Sequence, residues 1–181
     1  MSPPGKLVEA SACDPAVFDA FLGSFGAGGD GVHGLAALDV MEQTLSAEEA
    51  IALLEDHRRG ERLPEGWVPS TTWFWASEEG LQGVINLRHC LTPFLEDFGG
   101  HVGYAVAPEF RRRGIATAML AGVVRAAQEL GIPRLLVTCD AQNRASARTI
   151  ELNSGRLERE GYSEVTKGVM RWYWIACDDS A

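Results

Sequence analysis

The chain predicts an α+β fold, a mixed and mostly antiparallel central sheet with helices on both faces. Three observations carry this. β-branched and aromatic runs bounded by turn residues fill the middle of the chain, an extended run enters a basic, glycine-containing turn at Arg111 to Gly114, and helical and strand patterns alternate after that turn. With 181 residues and 46% hydrophobic composition the chain can bury a real core, and its length predicts one domain over residues 1–181.

Asp14-Pro15 reads as an N-cap followed by proline at the first helical position, opening a short helix over Ala16 to Phe25 with Val17, Phe18, Phe21 and Leu22 on its apolar face. Gly26 to Gly31 matches Gly-x-Gly-x-x-Gly, but it follows a helix instead of a strand, so it predicts a turn and not a dinucleotide site. Ser46-Ala47-Glu48-Glu49 is a capping box for a helix reaching about Arg59, with Ile51, Leu53 and Leu54 facing the core. Arg58 to Val68 then predicts a loop. Thr71 to Ala76 and Gln82 to Cys90, joined through Glu78-Glu79-Gly80, form a hairpin, and His101 to Val106 a further strand.

Beyond the basic turn, Ile115, Met119, Val123, Ala127 and Leu130 recur at helical spacing until Gly131-Ile132-Pro133 stops the helix. Leu135 to Cys139 is a buried-type strand, Asn143 to Asn153 a helix closed by Ser154-Gly155, and Val169 to Cys177 the last strand. No internal repeat or low-complexity segment interrupts this order.

The net charge of −9 argues against a nucleic-acid clamp, which needs a concentrated basic surface. Its distribution is uneven: residues 1–110 hold 5 Lys/Arg against 17 Asp/Glu, whereas residues 111–181 hold 11 against 8. The basic excess begins at the turn. Cys13, Cys90, Cys139 and Cys177 have no Cys-x-x-Cys spacing, so neither a metal site nor a disulfide framework is indicated. No apolar run has signal-peptide or bilayer-spanning length, which predicts a cytoplasmic protein with no membrane partner.

The turn itself predicts an anion site. Backbone N–H groups at a helix start lack partners and sit at the positive end of the helix dipole, and Gly114 would admit a ligand oxygen without a Cβ in its way. Arg111, Arg112 and Arg113 beside it suit more than one phosphate.

Here the sequence resembles the GNAT superfamily of N-acetyltransferases, whose coenzyme A loop Gln/Arg-x-x-Gly-x-Gly/Ala is matched by Arg111-x-x-Gly114-x-Ala116. The preceding strand, the following amphipathic helix, the second strand and the Asn143 helix start make the match specific. It is strongest over residues 70–176, and Gly99 to Glu158 resembles a bacterial acetyltransferase branch without an assigned substrate. The resemblance implies a GNAT-like fold and an acyltransferase that moves acetyl from acetyl-CoA to a small-molecule or peptide amine by direct attack in a ternary complex. It puts the amides of Arg113, Gly114, Ile115, Ala116 and Thr117 on the pyrophosphate, with charge from Arg111 and Arg112. Tyr104, Ala105 and Val106 would line the pantetheine, and Asn143 and Ser146 the cofactor arm.

Both usual proton-transfer positions depart from the family pattern: Gly100 stands where many relatives carry a glutamate, and Ile150 where many carry a tyrosine. His89 and Glu96 are the substitute base candidates, whereas strand alternation turns His101 away. Cys139, ending a buried strand, reads as packing. The missing pair keeps two other classes open, a non-catalytic acyl-CoA-binding sensor and a phosphate- or nucleotide-binding protein. An acidic surface in the first half favours a cationic acceptor. Trp172, Tyr173 and Trp174 offer a homodimer contact or a finished core.

Overall fold

The computed structural model describes residues 3–26, 32–39 and 45–177. In chain order the elements are β1 (Lys6–Glu9), α1 (Pro15–Gly23), α2 (Ala36–Asp39), α3 (Ala47–Arg59), β2 (Ser70–Ser77) and β3 (Gly80–Arg88), then α4 (Pro93–Asp97), β4 (Val102–Val106), α5 (Ile115–Glu129), β5 (Arg134–Asp140), α6 (Arg144–Leu152), β6 (Arg156–Ser163) and β7 (Gly168–Ala176). Short 3₁₀ turns occupy Ala10–Ala12 and Pro108–Phe110. The Gly-x-Gly-x-x-Gly run lies mostly outside the described residues.

Local chemistry sets the helix ends. Asp14 accepts from the amides of Ala16 and Val17 at the start of α1. At α3 both halves of the capping box form, Glu49 N–H to Ser46 Oγ at 3.2 Å and Ser46 N–H to Glu49 Oε2 at 2.8 Å. The apolar faces are narrower than expected. Phe18 and Phe21 are buried but Val17 is exposed, because a nine-residue helix touching the sheet along one stripe leaves its flank in water. Leu130 is likewise exposed, since it caps α5 past the last turn that meets the sheet.

The strands form two antiparallel sheets, β1-β2-β3-β4 and β5-β7-β6. Strand alternation divides the first sheet between two cores. Phe74 and Val84 pack with Phe18, Phe21 and Leu54 of α1 and α3, whereas Trp75, Ile85 and Leu87 pack with Met119, Leu120 and Val123 of α5. Phe74 meets Phe18 and Phe21 edge-on, with ring centroids 5.5 and 5.4 Å apart. Each such fully buried side chain contributes roughly 1.5–3 kcal/mol. Helices therefore cover both faces, as the pattern predicted.

Strands β4 and β5 are neighbours that do not pair along their length. They are joined at one end, where the His101 amide donates to the Leu136 carbonyl at 2.7 Å and the Leu136 amide donates to His101 Nδ1 at 2.9 Å. Beyond this junction the two sheets part, so β4 keeps one unpaired edge. The last strand, β7, lies between β5 and β6 with Trp172 and Tyr173 buried, which removes it as a free edge for a homodimer.

Candidate active site

The basic turn follows β4 through Pro108–Phe110 and opens α5. Gly114 is the N-cap, with φ 81°, no side-chain cap, and no atom within 4 Å of where a Cβ would stand. Among the described residues, no acceptor is found for the amides of Arg113 to Thr117. They form an outward-facing cluster of donors at the positive end of a 15-residue helix. The three arginines differ. Arg111 Nε donates to the Val106 carbonyl at 3.1 Å, and Arg113 is held by the Glu109 carbonyl at 3.2 Å, by Glu79 at 3.5 Å and over the Phe110 ring. Arg112, with φ 64°, is exposed and has no partner among the described residues. Ile115 is buried in the core, so only its amide faces the turn; Ala116 and Thr117 are half-buried.

The open edge of β4 supplies the second part of the site. Bonds from Arg88 N–H to the His101 carbonyl and from Ala107 N–H to the Gln82 carbonyl fix which residues face β3. By antiparallel alternation the Ala105 main chain pairs with Val84, and the Tyr104 and Val106 main chains point into the gap between the sheets. Of the three residues expected along the pantetheine, Ala105 has its backbone groups engaged. The Val106 carbonyl already accepts from Arg111, which leaves its amide and both groups of Tyr104 available.

Across the gap stands α6. Asn143 caps it, its Oδ1 accepting from Ser146 N–H at 3.0 Å, while its Nδ2 has no partner among the described residues. The Ser146 hydroxyl shares a 2.7 Å hydrogen bond with Tyr104 Oη, tying α6 to β4. Burial pushes the Tyr104 phenol up to about 12, so it stays protonated. Burial also raises the nearby Cys139 thiol, which keeps it un-ionised and unsuited to an acyl-cysteine route.

The third part is a cavity of about 190 Å³ on the α1/α3 side of the first sheet. Ser70, Asn86 and Arg88 form its floor, with Trp67 and Val68 on one side and Phe94, Leu95 and Phe98 on another. The predicted loop Arg58 to Val68 and the segment Leu91 to Phe98 therefore both border it. Behind Trp67 lies buried His57, edge-on at 5.9 Å, with no partner for Nδ1 among the described residues and its pKa lowered by burial. Gly34 closes the wall nearest β4, where a Cβ would stand 3.0 Å from the Gly103 carbonyl oxygen.

Neither substitute base lines this cavity. His89 Nε2 bonds Thr71 Oγ1 at 2.8 Å, on the sheet face opposite that of Ser70, Asn86 and Arg88. Burial and the Arg58 guanidinium lower its pKa. Glu96 projects from α4 into solvent. The structure also accounts for the two altered positions. Gly100 has φ 58°, and a Cβ there would lie 2.5 Å from the Leu136 carbonyl oxygen, so a glutamate cannot occupy it. Ile150 is fully buried in the core. The residues missed by the sequence reading are Ser70, Asn86 and Arg88. Asn86 and Arg88, two apart in an otherwise apolar strand, were the available signal.

Among the described residues, no cluster of three or more His, Cys, Asp or Glu could hold a metal, and no helix is long and apolar enough to cross a membrane.

A helix start whose amides lack acceptors among the described residues, an open strand edge and a cavity on the α1/α3 face of the first sheet are the parts that an acyl-CoA-dependent transferase requires. Residues 32–153 match the family model for the acetyltransferase (GNAT) domain, and the chain belongs to that family. It is an N-acetyltransferase that uses acetyl-CoA as its donor. No curated protein matches it in sequence. Its fold is similar to that of yncA from Salmonella typhimurium, solved with its cofactor acetyl-CoA (11% identity, TM-score 0.62, 99% of this chain and 97% of that one). It is similar, too, to the Salmonella typhimurium acetyltransferase that modifies the N-terminal serine of ribosomal protein L7/L12 (18%, 0.61, 98% and 97%). The ribosomal-protein-S5-alanine acetyltransferase of Vibrio fischeri is comparable (14%, 0.63, 97% and 93%).

Proposed function

We propose that this single-domain protein transfers acetyl from acetyl-CoA to an amine by direct attack within a ternary complex. What carries it is the presence of three features in one chain: the amides at Arg113 to Thr117, which lack acceptors among the described residues, the open edge at Tyr104 and Val106, and the cavity on the α1/α3 face of the first sheet. Pyrophosphate sits on the amides, with charge from Arg112, which has no partner among the described residues. The pantetheine amides pair with Tyr104 and Val106 as an added strand would, with the Asn143 amide across the gap. The solved structure of the acetyltransferase that modifies the N-terminal serine of ribosomal protein L7/L12 supports an amine acceptor. Cysteines without Cys-x-x-Cys spacing, in a chain long enough to build a core, fit a cytoplasmic protein.

The reaction then needs positioning and proton removal. The neutral amine nitrogen attacks the thioester carbonyl carbon, the developing oxyanion is met by a main-chain N–H of the β4 edge, and collapse breaks the C–S bond. A thiolate is a good leaving group, so an acid at Ile150 is dispensable. The amine loses its proton to water. A lysine-like ammonium is neutral at pH 7 only about once in 10³ to 10⁴ molecules, so the rate should rise with pH through the neutral range. His89 and Glu96 stay outside this route because neither lines the cavity.

Amine-dependent release of free thiol from acetyl-CoA tests the proposal. Release that saturates in both substrates, with intersecting initial-rate patterns, is expected. Tight acetyl-CoA binding without release under any amine would leave a sensor, and equal competition by ATP a general phosphate binder.

A further inference from the structure

Arg88 is the only charged side chain among the described residues lining the cavity, and no Asp or Glu lines it there. Nη1 donates to the carbonyls of Gly99 and Gly100, at 3.1 Å each. These bonds fix the guanidinium plane and leave the Nε–Nη2 edge without an acceptor among the described residues. That edge is the pair of parallel donors that a carboxylate takes side-on. Burial depresses the guanidinium pKa, and no carboxylate offsets it.

Two residues back on the same face, Asn86 Nδ2 donates to Thr72 Oγ1 at 2.9 Å and to the Thr71 carbonyl at 3.3 Å. This orients the amide and leaves Oδ1 as an acceptor. The floor thus offers a fixed cationic fork and, one strand repeat away, a neutral oxygen. Trp67, Phe94 and Phe98 supply apolar walls.

We propose that the acceptor is a small amine carrying a carboxylate and an apolar body, with the carboxylate on the Nε–Nη2 edge of Arg88 and the amine toward Asn86 Oδ1. This rests on the acetyltransferase function proposed above, and it adds a carboxylate to the cationic acceptor that the acidic first half of the chain favours. A dicationic amine would bring a second positive group against Arg88 with nothing in the described lining to balance it. Gly34, which lines the cavity and packs against Gly103, sets this floor next to β4, the strand whose other edge would hold the thioester.

The test titrates 3-phenylpropionate and its isosteric carboxamide, 3-phenylpropanamide, into the wild-type protein saturated with coenzyme A. The carboxylate is expected to bind at least about tenfold more tightly, as a charge-assisted pair should. Arg88→Met should abolish the difference, and Arg88→Lys should keep only part of it, since a point charge lacks the fork. Should Arg88→Met fail to fold, the wild-type ratio and Arg88→Lys decide. Equal binding of the two probes, binding of neither, or a preference unchanged by either variant overturns the proposal. The coenzyme A titration that precedes it separates the two levels. No coenzyme A binding strikes the acetyltransferase function, whereas coenzyme A binding without carboxylate preference strikes only the acceptor class.

Discussion

The His101 imidazole completes a backbone ladder: its Nδ1 accepts from the Leu136 amide at 2.9 Å while the His101 amide donates to the Leu136 carbonyl at 2.7 Å. A side chain here takes the place of a strand carbonyl. It fastens β4 to β5 at one end and lets them diverge toward α5 and α6, which opens the gap proposed to take acetyl-CoA.

His101 must be neutral for this bond. Burial, with the Arg88 charge adding to it, pushes its pKa down to about 4. The unfolded chain, with histidine near 6.5, binds the extra proton first, so stability is full above about pH 6.5 and is lost as pH falls toward 4. The loss should be on the order of 2 kcal/mol after allowance for partial solvent screening. His101→Asn, which keeps an acceptor oxygen near Nδ1 but does not titrate, should flatten this part of a denaturant-midpoint profile against pH. His57 and His89 shift in the same direction, and Glu55 and Asp56, held down by Arg58 and Arg62, add to the loss toward acid.

Gly100 faces the same junction. Gly100→Ala adds a Cβ 2.5 Å from the Leu136 carbonyl oxygen on a backbone at φ 58°, and should destabilise by at least about 2 kcal/mol in chemical denaturation. A stable Gly100→Ala protein would mean that β4 and β5 are not held this closely.

Tyr104→Phe removes the 2.7 Å bond to Ser146 Oγ and should cost about 1 kcal/mol of stability. Because the proposed cofactor contact at this position is with the main chain, acetyl-CoA affinity should change little. Calorimetric Kd values for wild type and variant check the second half, and thermal unfolding the first.

Helix α3 carries the loop that walls the cavity, and its start depends on the capping box. Ser46→Ala should lower stability by about 1 kcal/mol and leave acetyl-CoA binding intact, as thermal unfolding and calorimetry on one preparation would show.

Much of this was legible along the chain because local rules acted alone there. Asp14-Pro15 and the Ser46 capping box mark their helices with side chains a few residues from the amides they satisfy. Strand β6 was not legible: Arg156, Glu158, Arg159 and Glu160 leave no apolar alternation, because β6 is an exposed edge whose charges discourage further pairing. Four-residue β1 is too short to show a period. The parting of one expected sheet into two hangs on the single His101–Leu136 contact, between residues 35 apart in sequence. The phosphate turn could be read from adjacent residues. The cavity could not, because Trp67, Arg88 and Phe94 meet only after the hairpin and α4 have packed.

The most direct measurement is calorimetric titration of acetyl-CoA into the wild type and into Gly114→Glu, which sets a side chain and a negative charge among the unpartnered amides of α5. Saturable binding by the wild type and its loss in a folded variant is the predicted result. Absence of binding by the folded wild type, or equal binding by Gly114→Glu, would contradict the account.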